Sequence, residues 1–274
     1  MIKLTGNPIR DKFYWRVMDF IGIDLAWSAK NPSGLALLNW DGKKAWLSDT
    51  ATLVSDEKIL SWVQSHTHSH ACIAIDAPII APNPPGTTRE ADRGLAADFA
   101  RFHAGTYPAN RQRAKRATTL SGKLRDLNFD PDPFFTTGNP VRSQIEVYPH
   151  SAMVALFSLP RIIKYKKGPV SEKAKGLGSL QREMSKHLPL LDPPVDRISL
   201  LKVCRVTPGE GGAKALKELE DTLDAVICAY TGLYFWRWGK EKCRVYGSVE
   251  SGYIVTPINE TILSVSARNR GNPD

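Results

Sequence analysis

In FIGIDLAWSAKNPSGLALLNW, residues 20–40, large and small residues alternate: Ile21, Ile23 and Leu25 against Gly22, Asp24 and Ala26. A period of two predicts a strand over 20–27, a turn at NPSG, and a second strand over 33–40. A third strand is expected over 43–50, after the turn residues Asp41–Gly42. Ser55, the acids behind it and helical apolar spacing predict a helix over 55–67. ACIAIDAPI, residues 71–79, reads as a buried strand. Helices are then expected over 89–102 and in part of the basic stretch 111–127. A strand over 143–150 and a short helix at SAMVALF follow. A basic connector opens the segment 165–188 and leads into a helix. The clearest helical pattern, AKALKELEDTLDAVICAYTGLYFWRW, comes after the loop TPGEGG at 207–212, and YIVTP at 253–257 reads as a last short strand.

This order predicts a single mixed α/β domain over 20–257 with an insertion at about 80–140. Residues 1–19 are expected to form an N-terminal extension and 258–274 a C-terminal tail.

The same alternation isolates the acids. Asp24 and Asp76 stand opposite large aliphatic residues and share their strand face with small ones, and Glu146 lies between Ile145 and Val147. On the long helix, Leu216, Leu219, Leu223, Val226, Ile227 and Tyr230 form a bulky stripe. Asp221, Asp224, Ala225, Cys228 and Gly232 form a face of acids and small residues. Packing the small helix face on the small sheet face would gather the carboxylates at one edge. There they would repel and hold protons unless a cation stood among them, and oxygen-only ligands suit Mg²⁺ or Mn²⁺. The competing reading for each acid is structural, bonded to an arginine or lysine.

Composition adds one bias. The 274 residues carry a formal net charge of +9, which favours anionic partners, nucleic acid first among them. The four cysteines form no CxxC pair, so neither a zinc site nor a disulfide framework is expected. No secretory signal and no run apolar enough to cross a bilayer is seen, and the expected location is cytoplasmic.

GIDLAW, IDAPI, READR, EVYPHSA, DTLDAVICAY and SVESGYIVTP, in that order over about 20–257, resemble domain-of-unknown-function family 429. The resemblance implies a predicted nuclease with an RNase H-like core: three antiparallel strands, two more parallel to the first, and flanking helices. It implies two-metal phosphodiester hydrolysis with Asp24, Asp76 and Asp224 catalytic and Asp24 bridging the ions; Asp221 would complete the shell. DTLD is similar to the DxxD of Holliday-junction resolvases. Their pattern has no fixed acid on the fifth strand, although the family's own motif includes Glu146, here counted among the metal ligands.

Arg89, Arg93, Arg116 and Lys166 are candidates to hold the substrate phosphate. For Arg89, Asp92 and Arg93 an ordinary helix start with an ion pair explains the residues equally well. His150 could assist proton transfer or close its strand. The alternating His66, His68 and His70 read as a polar loop rather than a metal site. No aromatic stacking motif stands out. Two other functions remain open: an actin-like nucleotide-binding phosphotransferase, for which one acidic strand–hairpin is too few, and a non-catalytic nucleic-acid-binding scaffold.

Overall fold

The alternation at Ile21–Asp24 is realised in β1 (Met18–Asp24), the central strand of a five-stranded sheet. The computed structural model describes residues 18–270. Of the extension expected at 1–19, residues 1–17 lie outside the described residues, while Met18 and Asp19 open β1. β2 (Ser33–Trp40) and β3 (Ala45–Leu53) continue the sheet antiparallel on one side, with a bulge where Leu37 and Leu38 pair with Asp49 and Leu47. β4 (Ala71–Ile75) and β5 (Arg142–Glu146) extend it parallel to β1 on the other. The order β3-β2-β1-β4-β5 is the mixed sheet expected from the sequence.

The helices are α1 (Asp56–His66), α2 (Glu90–Phe99), α3 (Lys115–Asp126), α4 (Pro149–Leu156), α5 (Val170–His187), α6 (Arg197–Cys204), α7 (Gly212–Trp238) and α8 (Glu260–Arg270). Ser55 caps α1 as its sequence predicts, its hydroxyl accepting from Lys58 N. The region between β4 and β5 holds α2 and α3, the helices expected over 89–102 and within 111–127.

α7 lies against the small face of the sheet, and glycine lets it do so. A Cβ on Gly22 would collide with the Ala225 carbonyl and the Ala229 amide, and one on Gly34 with the Asp221 backbone. From the helix side, a Cβ on Gly232 would lie 3.2 Å from that of Ala74. Close approach buries α7 almost continuously from Leu223 to Trp236. Each fully buried aliphatic side chain contributes roughly 1.5–3 kcal/mol.

The expected tail at 258–274 is a packed element. β6 (Cys243–Ser248) and β7 (Gly252–Pro257) form a hairpin, and α8 follows with Ile262 and Val265 buried. With Leu95 and Phe99 of α2 and Tyr246 of β6 they make a second, smaller core. No helix among the described residues is long and apolar enough to cross a membrane.

Candidate functional site

The ends of two parallel strands set the first two carboxylates. Asp24 closes β1, and Asp76 directly follows β4, its N–H donating to Ile23 O at 2.8 Å. In register they are neighbours on the face that α7 covers. α7 brings Asp221 and Asp224 to the same place, one turn apart and both buried. The convergence read from strand and helix faces is therefore present: each aspartate acts electrostatically on Asp24.

A lysine stands among them. Lys166 Nζ lies 2.7 Å from Asp224 Oδ2, and its charge also reaches Asp24 and Asp76. The loop carrying it is pressed against α5 at Gly176, where a Cβ would collide with the Lys164 carbonyl. Tyr165, fully buried on the same loop, donates its hydroxyl to Asp224 Oδ1 at 2.6 Å. Lys217 Nζ donates to Asp221 Oδ1 at 2.6 Å and to Glu220 Oε1 at 2.8 Å.

These cations leave negative charge in excess, and the carboxyls respond. Burial holds Asp24 well above the usual carboxylate range; Lys166 opposes the rise, and Asp224, Asp76 and Asp221 add to it. Burial pushes Asp76 up to about 7, again against Lys166 and with Asp224. Burial also raises Asp221, opposed by Lys217. Asp221 Oδ2 is buried without a hydrogen-bond donor; Asp224 Oδ2 has only the Lys166 ion pair, which lacks hydrogen-bond alignment. Lys166 responds in turn: burial lowers its affinity for the proton, and Asp224, Asp24 and Asp76 more than restore it.

The oxygen-rich donor set and the orphaned Asp221 oxygen suit a hard divalent cation. The present arrangement does not offer a finished cage. Among the described residues, no three or more His, Cys, Asp or Glu side chains are grouped to hold a metal ion.

Glu146 does not join this group, and the register explains why. It pairs with Ile75, whereas Ile145 pairs with Ala74, so Glu146 points to the sheet face opposite Asp24 and Asp76. Its face-mate Gln144 donates to Ser121 O of α3, on that other side. Both Glu146 oxygens accept from Arg89, at 2.6 and 2.8 Å, and Oε2 also accepts from Ile79 N. Arg89 is buried, and its five donors go to Glu146, Asp92 and the Ile80 carbonyl. It is therefore a structural fork with no donor left for a phosphate, which agrees with the ion-pair reading of Arg89 and Asp92 and not with the phosphate-binding one.

Arg116 is occupied in part, its Nη2 being buried without a partner. Its Nε pairs with Asp56 at 2.9 Å and Nη1 donates to the Ala26 and Ser28 carbonyls, tying the β1–β2 loop to α1 and α3. Arg93 is exposed and donates to Thr88 O at 2.6 Å. Of the four cations expected at a phosphate, Lys166 alone lies among the aspartates. The histidines of HTHSH separate, His66 contacting Asp49 and His68 contacting Asp19.

A cavity of about 220 Å³ opens beside Asp76, the one member of the aspartate group that lines it. Asp76, Lys166, His150 and Tyr148 line one part of it, and Arg89 and Glu146 another. Burial, with Lys166 adding, pushes the His150 imidazole down to about 4, and its Nδ1 is buried without a partner. Two exposed aromatics, Trp27 and Tyr107, also line the cavity. The sequence reading missed both, as it missed Tyr165 and Lys217. Trp27 alone carried a signal: a tryptophan in a polar turn three residues after Asp24.

A family model described as "Protein of unknown function (DUF429)" matches residues 22–250. No curated protein and no solved structure matches the chain.

Proposed function

The chain belongs to the DUF429 family, and we propose that it is a divalent-metal-dependent phosphodiester hydrolase acting on nucleic acid, built on an RNase H-like core. One observation carries the reading: aspartates from β1, the end of β4 and α7 converge with more negative charge than Lys166 and Lys217 balance, and one buried oxygen lacks any donor. Carboxylates held at this energetic cost are a functional-site signature. The net charge of +9 agrees with an anionic polymer as substrate.

Asp24, Asp76, Asp221 and Asp224 would hold Mg²⁺ or Mn²⁺. When bound, such ions supply an activated water and charge for the leaving oxygen. The chain's own residues do the rest. Protons compete with metal at Asp24 and Asp76, both held above the usual carboxylate range by burial. Tyr165 holds Asp224 in orientation through the 2.6 Å hydrogen bond. Lys166, its side chain 32 % exposed on a loop, can turn from Asp224 to a phosphoryl oxygen. His150, neutral and with Nδ1 free, faces the same cavity and can accept a proton there. The four cysteines are all free thiols, in keeping with a reducing, cytoplasmic setting.

Purified protein with Mn²⁺ is expected to cleave DNA or RNA, and Asp24→Asn to abolish cleavage; equal activity in the variant would remove the reading. The Lys166–Asp224 pair favours a second one, a nucleic-acid-binding module in which lysine stands where an ion would. It predicts salt-sensitive binding indifferent to metal and to Asp24→Asn.

A further inference from the structure

Trp27 is 62 % exposed and Tyr107 is 69 % exposed, the latter more than any other aromatic side chain among the described residues. Both line the cavity that Asp76 and Lys166 border. They come from distant parts of the chain: Trp27 from the loop after β1, Tyr107 from the segment between α2 and α3. Leaving two large aromatic surfaces in water beside a cavity forgoes the burial such rings usually gain. Tyr107 is also held in place. Lys167 Nζ donates to its hydroxyl at 3.0 Å and stands 5.8 Å from its ring centroid. Consecutive lysines thus serve two levels of one cavity, Lys166 at the aspartates and Lys167 at the tyrosine. On its other side Trp27 borders a small recess shared with Arg113 and Arg116.

We infer that Trp27 and Tyr107 form a stacking platform for the unpaired bases of a single nucleic-acid strand, whose backbone leads past Lys167 to the aspartates. The ligand class rests on the phosphodiesterase reading; the platform rests on the aromatics. Aromatic faces beside cations suit a nucleobase linked to phosphate, since every base offers a π-face and the sugar-phosphate chain offers the charge. A phosphate monoester without a base would leave both rings unused. Stacking on the two rings needs unstacked base faces, which a single strand offers and an uninterrupted duplex does not. The substrate is accordingly a single-stranded region, an end or a loop, rather than an uninterrupted duplex.

The test is fluorescence anisotropy on the full chain in EDTA, where no cleavage intervenes. The probes are a labelled ten-nucleotide oligothymidylate, an abasic strand of equal length and a blunt duplex, all at one salt concentration. The oligothymidylate is expected to bind about tenfold more tightly than the abasic strand. Trp27→Ala and Tyr107→Ala should each weaken it about tenfold and change abasic binding less than about twofold, with Trp27→Phe retaining most of the affinity. Equal affinity for base-bearing and abasic strands, tighter binding of the duplex, or indifference to both alanine variants would overturn the platform. Cleavage with Mn²⁺, measured separately, keeps the two proposals apart. Stacking without cleavage of any strand retires the hydrolase alone, and cleavage without base-dependent binding retires the platform alone.

Discussion

Two groups of buried acids lie at the same end of the sheet, on opposite faces, and they are solved differently. Around Arg89, both oxygens of Glu146 and both of Asp92 have donors, and the guanidinium has spent all five N–H groups. Around Lys166, four aspartates share two lysines, and one buried oxygen has no donor. A buried acid whose every oxygen is satisfied is part of the frame. One that stays short of partners is waiting for a proton or a cation.

The contrast can be broken most forcefully at Arg89. Arg89→Met would leave Glu146 and Asp92 buried and unpaired, and we expect a loss of about 3–5 kcal/mol in unfolding free energy. Urea denaturation measures it, and a loss under about 1 kcal/mol would show that the fork is not structural. Asp24→Asn should do the reverse. It replaces a carboxyl that its neighbours crowd with a neutral group of the same shape, so the metal-free melting temperature should hold or rise while Mn²⁺-dependent cleavage falls at least about a hundredfold. A marked drop in melting temperature would make Asp24 a structural residue like Glu146.

Gly22→Ala probes what brings the aspartates together. Its methyl would meet the Ala225 carbonyl, and separating α7 from β1 should cost on the order of 1–3 kcal/mol and weaken metal binding with it. Unchanged stability would mean that the contact yields easily.

Proton linkage gives the smallest effect. Asp76 is raised in the folded state, so the fold binds more protons than the unfolded chain between its ordinary value near 4 and about 7. Its contribution is fully present below about 4 and is lost as pH rises through about 7. Glu146, also raised to about 7 by burial, has the same sign. Metal-free protein should therefore lose melting temperature between pH 5 and pH 8 by a few degrees, and Mn²⁺ at saturating concentration should restore more of it at pH 8 than at pH 5. A flat profile in metal-free protein would contradict the account of crowded carboxyls.

Much of this was legible from residue spacing. Small residues at Gly22, Ala74, Ala225 and Gly232 marked the two faces that meet, and the acids among them marked the edge at which they gather. Glu146 shows the limit of such reading. Alternation says that an acid lies opposite its aliphatic neighbours, but only the strand register says which face of the shared sheet that is, and β5 enters with its aliphatic residues toward α7. Lys166 was legible as a candidate phosphate contact, but its ion pair with Asp224 was not. Within KYKKG it resembles a solvated basic run, and its inward position comes from the contact of Gly176 with the Lys164 carbonyl, a tertiary fact. The packed helix α8 was missed because its burial depends on α2, some 160 residues earlier in the chain.

The most direct measurement is calorimetric titration of Mn²⁺ into metal-free protein at pH 6 and pH 8, repeated with Asp24→Asn and Asp224→Asn. The account predicts saturable binding that releases more protons at pH 6 than at pH 8 and is lost in both variants. Absence of binding to the unaltered protein, or binding that both variants retain, would contradict it.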